Sequence, residues 1–208
     1  MEKNIFYSLV LLILSFGLFS CVDKFDDPQD TIDADEERIQ RYISQNNLNA
    51  SRTNSGLYHI ITADSSSNGL PQVNNVLEVS YKASLLETGE VFGEQDGYTF
   101  QPSVGSFMAG LSEGVLLMGQ GGKSTFLVPS HLAFGIGSGT LGGVLIPANS
   151  IVILEVELKA IRSLAEQEQE EDKIIEEYMT ANDLVATSDS LGVYRIVLEQ
   201  GDSTRFGN

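Results

Sequence analysis

Residues 107–135 read FMAGLSEGVLLMGQGGKSTFLVPSHLAFG. The stretch holds three aromatics, two methionines and one histidine, His131, but no pair of acids. It has the density of an enzyme's central motif without nucleophile, base or metal cluster. Gly110–Met118 is long enough for one short helix, and Lys123–Val128 reads as a strand.

Around this stretch the hydrophobic period is two. From Val76, the residues Leu77, Val79, Tyr81, Ala83 and Leu85 alternate with Glu78, Ser80, Lys82 and Ser84, the mark of a half-buried strand. ETGE at 87–90 turns this strand into Val91–Phe92. A further strand is expected over Ile151–Ile161, with Val152, Leu154, Val156 and Leu158 on one face. Strands with a single inserted helix predict an α+β fold built on an antiparallel sheet.

The flanks are related to each other. Glu36–Asn46 is expected to be helical, with Ile39, Tyr42 and Ile43 on one face. NSG at 54–56 turns the chain into the short strand LYHII, and DSSSNGLPQVNN is a loop by composition. SLAEQEQEEDKIIEEYMT at 163–180 reads as an acidic helix whose 166–177 portion is a solvated face. Residues 42–61 align without gaps to residues 178–197: Tyr42, Asn46, Leu48, Ala50, Gly56, Tyr58 and Ile60 recur as Tyr178, Asn182, Leu184, Ala186, Gly192, Tyr194 and Ile196. A helix-strand unit therefore stands on each side of the central region. Such a unit cannot bury its apolar face alone, so the second copy must pack on the core, on the first copy or on another chain. Self-association through residues 163–208 is one consequence.

The chain of 208 residues is 42% hydrophobic, enough for a substantial core. Its 29 acids against 12 bases give a net charge of −17, which keeps it soluble and opposes nucleic-acid binding. Lys3 precedes the apolar run Ile5–Phe19, too short to span a bilayer. The run ends in LFSC at 18–21, which resembles the lipobox of bacterial lipoproteins and implies a lipid anchor on Cys21, the lone cysteine. Residues 1–20 would then be a signal peptide and 21–35 a flexible acidic tether. In such lipoproteins Val22 favours the outer membrane, and the acidic run Asp23–Asp27 resembles the surface-export signal of Bacteroidetes lipoproteins. The remaining segments are expected at 36–73, 74–162 and 163–208.

The central region, about Asn74–Arg162, resembles the FKBP family of peptidyl-prolyl isomerases. VSYKASLLETGEVF, VGSFMAGLSEGVLLMGQGGKSTFLVP, HLAFG and IPANSIVILEVELKAI match the family's motifs in order. The resemblance implies a twisted antiparallel sheet wrapped around a short helix, proline-containing polypeptides as substrates, and an apolar pocket that needs no cofactor or metal. Residue by residue, it implies catalytic roles for Tyr81, Phe92, Phe100, Met108 (through its backbone N–H) and Phe134. It implies substrate contacts for Phe107, Leu111, Ile146 and Leu154. The chain departs from the family at Leu111 for a floor tryptophan, Phe134 for a tyrosine, Gly93 for an aspartate, Ala83 for a glycine and Leu154 for a phenylalanine. These changes make the expected cup shallower and less polar at its rim. They predict a weakly active isomerase or, alternatively, a peptide-binding module of the same fold. His59 and His131 have no partner at ligand spacing, which argues against a metal site. The glycine-rich GIGSGTLGG at 135–143 lacks the Lys-Ser/Thr of a phosphate loop and is expected to be a flexible rim.

Overall fold

The computed structural model describes residues 28–189 and 192–196. Cys21, the expected signal peptide and residues 21–27 of the expected tether lie outside the described residues.

Helix α1 spans Pro28–Gln45. It starts earlier than Glu36, so 28–35 is helix rather than tether. Proline is at home in a first helical turn, where its missing N–H costs nothing, and Asp30 there complements the positive end of the helix dipole. Strands β1 (Ser51–Arg52) and β2 (Tyr58–Ala63) form a hairpin. Then come β3 (Val76–Leu85), β4 (Val91–Phe100), α2 (Ala109–Gly114) and β5 (Lys123–Val128). A small hairpin of β6 (Gly139–Leu141) and β7 (Val144–Ile146) precedes β8 (Val152–Arg162), α3 (Leu164–Ala181), β9 (Ala186–Ser188) and β10 (Tyr194–Ile196). The main sheet has the order β1-β2-β5-β8-β3-β4, antiparallel throughout.

The inner face of this sheet wraps α2. Leu77, Val79, Ala83, Phe126, Val128, Val152, Leu154, Val156 and Leu158 are buried there together with Leu111 and Val115. A Cβ on Gly110 would lie 2.4 Å from Val128, and one on Gly114 2.7 Å from the Phe126 ring. Those two glycines let the helix rest directly on β5. Phe126, Leu127 and Val128 are buried in succession because β5 is covered on both faces. Leu127 points outwards, to a second cluster with Ile39 of α1, Tyr58 and Ile151. Elsewhere the outer face is polar and carries the ion pairs Lys82–Glu155 and Lys123–Glu157.

Strand β4 is longer than the expected Val91–Phe92. It carries two irregularities against β3: Val79 faces Tyr98 but Tyr81 faces Gln95, and Ala83 faces Gly93 but Ser84 faces Val91. The first coincides with Gly97, at φ 73°.

The internal repeat is structural as well as sequential. Asn46 and Asn182 both donate from their side-chain amides to the carbonyls of Tyr42 and Tyr178. Asn47 and Asp183 share a positive φ, 51° and 53°. Leu48 N–H donates to Ile43 O as Leu184 N–H does to Met179 O. Continuing the register towards the N-terminus sets Glu36 opposite Asp172. The Tyr58 hydroxyl donates to Glu36, and that of Tyr194 donates to Asp172 at 3.1 Å. The two units differ in burial. The first is docked on the core through Ile39 and Tyr58. In the second, α3 is capped by a reciprocal Ser163–Glu166 pair and buries no residue. Ile174, Tyr178, Val185 and Val193 remain exposed.

Candidate active site

Strand β3 aims Tyr81 at the inner face beyond the end of α2. The bulge at Gly97 brings Tyr98 onto the same face, opposite Val79. Phe107, just ahead of α2, completes a ring cluster. Tyr81 lies 4.9 Å from Phe107 and 5.6 Å edge-on from Tyr98, measured between ring centres. Tyr98 lies 5.7 Å edge-on from Phe107 and stacks on Phe100 at 5.3 Å. A second pair, Phe92 and Phe134, meets edge-to-face at 5.7 Å. Such offset geometries place positive ring edges against negative ring faces.

The glycine-rich segment lies against the second pair, with Gly142 close to the backbone of Phe92. That segment carries a short hairpin: β6 and β7 pair from Gly139–Ile146 to Leu141–Val144, with Gly142 and Gly143 at positive φ in the turn. Beneath it lies a cleft of about 250 Å³ lined by Phe134, residues 137–141 and Ile146. No charged side chain lines it.

The residues implied by the family resemblance divide into two sets. Phe134 and Ile146 line the cleft, and Tyr81 and Phe107 are half-buried in the ring cluster. Phe92, Phe100, Met108, Leu111 and Leu154 are closed into the core below. Phe92 is only 3% exposed, because the hairpin tip lies on the start of β4. The Met108 N–H, expected to be open to a substrate carbonyl, donates to Ser106 Oγ at 3.3 Å. Ser106 Oγ in turn donates to Met108 O at 2.6 Å and receives the Ser112 hydroxyl at 3.0 Å. A 3.3 Å bond is long for an amide donor.

Tyr98 was not singled out from the sequence, although it touches Tyr81, Phe100 and Phe107. Its signal was the i, i+2 alternation with Phe100 after Gly97. Burial pushes the Tyr81 phenol above its ordinary value, and the Tyr98 phenol beside it adds to the shift.

The family model described as FKBP-type peptidyl-prolyl cis-trans isomerase matches residues 68–159. FK506-binding protein 2B of Rhizopus delemar is 29% identical over 134 residues, covering 59% of this chain and 62% of its own length. The FKBP-type peptidyl-prolyl cis-trans isomerase FkpA of Buchnera aphidicola is 31% identical over 115 residues, covering 55% and 44%. The chain thus spans less than two thirds of either curated relative. A crystal structure of a peptidyl-prolyl cis-trans isomerase from Pseudomonas syringae pv. tomato superposes with a TM-score of 0.54 at 20% identity, over 66% of this chain and 97% of that one. At that identity the likeness speaks for the fold.

Proposed function

We propose that the chain, whose residues 68–159 match the model of FKBP-type peptidyl-prolyl cis-trans isomerases, catalyses rotation about X–Pro bonds in polypeptides at the cleft beneath the β6–β7 hairpin. The observation that carries this reading is an uncharged cleft lined by Phe134 and Ile146, with Phe134 packed edge-on against Phe92 and the rings of Tyr81, Tyr98 and Phe107 packed on the same core.

The chemistry suits such a lining. Amide resonance imposes a rotational barrier of ~18–20 kcal/mol. No bond breaks and no proton must leave. The twisted amide has lost conjugation and is less polar than the planar one, so a dry apolar wall favours the transition state over the ground state. Lowering the barrier by ~4 kcal/mol gives roughly a thousandfold acceleration. In this reading the rings of Tyr81, Phe92, Phe100 and Phe134 exclude water, with Phe107, Leu111, Ile146 and Leu154 shaping the wall. The Met108 N–H, released from Ser106, holds a substrate carbonyl in place.

The chain's setting is part of the proposal. Cys21 carries a lipid and tethers the domain to the cell envelope, at the outer membrane, where it assists folding of proline-containing proteins. The support is LFSC at 18–21 and Val22 after the cysteine. Self-association through residues 163–208 is supported by the exposed Ile174, Tyr178, Val185 and Val193 of the second unit.

A second reading is a peptide-binding module with little catalysis, favoured by the burial of Phe92 and Met108. A proline-peptide isomerisation assay on the chain starting after Cys21 separates the two. Acceleration supports the first reading. Binding of a hydrophobic proline peptide without acceleration replaces it by the second. Sedimentation with and without residues 163–208 tests self-association, and an unchanged mass removes it.

A further inference from the structure

Asp35 stands on the apolar face of α1, one turn before Ile39, and is 1% exposed. A buried carboxylate is costly unless every oxygen finds a donor. Asp35 Oδ2 accepts the backbone N–H of Ser130 at 2.7 Å, and Oδ1 accepts Arg38 Nη1 at 3.0 Å. The same Arg38 Nη1 donates to the carbonyl of Asn149 at 3.2 Å. Two backbone bonds join these ends: Gly135 N–H donates to Ser130 O at 2.7 Å, and Asn149 N–H donates to Gly135 O at 2.8 Å. The five bonds form a closed ring: Asp35, Ser130, Gly135, Asn149, Arg38 and back to Asp35.

The ring has a definite place. Ser130–Gly135 is the loop that carries Phe134, and Asn149 belongs to the turn that follows Ile146. Those two side chains both line the cleft. Asn149 takes a positive φ of 57°, in the left-handed region that asparagine enters more readily than most residues with a side chain.

The internal repeat separates this role from mere helix packing. In the second unit, Glu36, Ile39 and Tyr58 have their counterparts in Asp172, Ile175 and Tyr194. The places of Asp35 and Arg38 are taken by Glu171 and Ile174, both exposed. The unit folds without the pair. The pair belongs to the copy that sits beside the cleft.

We infer that Asp35 and Arg38 are positioning residues, by which the N-terminal helix, outside the matched domain, sets the spacing between Phe134 and Ile146. The inference rests on the isomerase reading for its consequence in turnover, but the ring is testable without it.

The test compares the whole chain with Asp35→Ala, Arg38→Met and Arg38→Lys, and with Glu87→Gln as a control. Glu87 pairs with Arg38 at the surface but is outside the ring. Amide exchange is read at Gly135 and Asn149 and, as reference, at Leu127 in β5. Proline-peptide isomerisation is read as kcat/KM. The expected result is exchange at Gly135 and Asn149 faster by about tenfold or more in Asp35→Ala and Arg38→Met, with Leu127 unchanged. kcat/KM should fall by about tenfold in both, and Arg38→Lys and Glu87→Gln should stay within about threefold of the parent. If Asp35→Ala does not fold, the contrast between Arg38→Met and Arg38→Lys decides. Unchanged exchange at both amides overturns the ring. Exchange accelerated equally at Leu127 reduces the pair to general stability and overturns the positioning role, as does loosened exchange with unchanged kcat/KM. Should the parent chain show no isomerisation, the isomerase reading fails; the exchange data still decide the ring, and titration with a proline peptide, tight in the parent and weak in Arg38→Met, decides the positioning.

Discussion

A Cβ placed on Gly142 would lie 2.2 Å from the carbonyl oxygen of Phe92. The tip of the β6–β7 hairpin therefore rests directly on the backbone of Phe92, the second residue of β4. Alanine there also has to accept φ 57°, which costs ~1–2 kcal/mol for a residue with a side chain. Gly142→Ala should lift the hairpin off Phe92. We expect faster amide exchange across 139–146, and a several-fold fall in proline-peptide turnover as water reaches the cleft. Unchanged exchange would show that the tip yields without separating from β4.

Phe134 lines the cleft and is steadied by the edge-on contact with Phe92. Phe134→Tyr adds a hydroxyl at the half-buried end of the ring. A net hydrogen bond of ~1 kcal/mol to a substrate carbonyl would raise kcat/KM about fivefold. A rate at or below that of the parent shows that the hydroxyl is not what limits this site.

Tyr98 is the hub of the ring cluster. Tyr98→Leu removes three ring contacts worth ~0.5–1.5 kcal/mol each. The midpoint of chemical denaturation should drop accordingly, and turnover should fall with it. Tyr98→Phe keeps the rings and is expected to retain both within about twofold. Equal loss in both variants would shift the role from the ring to the hydroxyl.

Ser106 holds the Met108 N–H that a substrate carbonyl would use. Ser106→Ala frees that donor, and kcat/KM for a proline peptide is expected to rise about two- to fivefold. A fall would mean that the Ser106–Ser112 pair matters more for seating α2 than for occupying the donor.

The docking of α1 should weaken in acid. Burial raises the Glu36 carboxyl, but hydrogen bonds from Tyr58, Gln40 and Arg52 outweigh it and hold the group below its ordinary value of 4.5. A lowered folded-state value means stability present above the unfolded value and lost as pH falls through the folded one. Melting temperature should therefore decline from about pH 6 to about pH 3. Glu36→Gln should flatten part of that decline, and an identical slope in the variant would assign the acid sensitivity to other carboxylates.

The central strands were legible because alternation survives where only one face is buried. Lys123–Val128 falls where expected, and Leu77 to Leu85 follow their period-two pattern. Strand β4 was not legible beyond Phe92, because its two bulges scramble the alternation through a polar, glycine-bounded stretch. The start of α1 was hidden by acidity that reads equally well as a tether, and the β6–β7 hairpin by glycines that read as looseness. The rings of the site came from the family resemblance, since periodicity cannot tell a wall aromatic from a core one. Asp35 was readable in principle: it is an acid at the i−4 position to Ile39, on the face that should be apolar. What the sequence does not state is the partner, a backbone amide far along the chain at Ser130.

Among the described residues the main sheet ends on two edge strands. One is β1, two residues long, and the other is β4, interrupted twice. Neither presents the straight row of unsatisfied amides and carbonyls that another chain's strand would copy. Concentrated solutions of the domain should therefore resist fibril growth from its own edges, and a variant that irons β4 flat would surrender that protection.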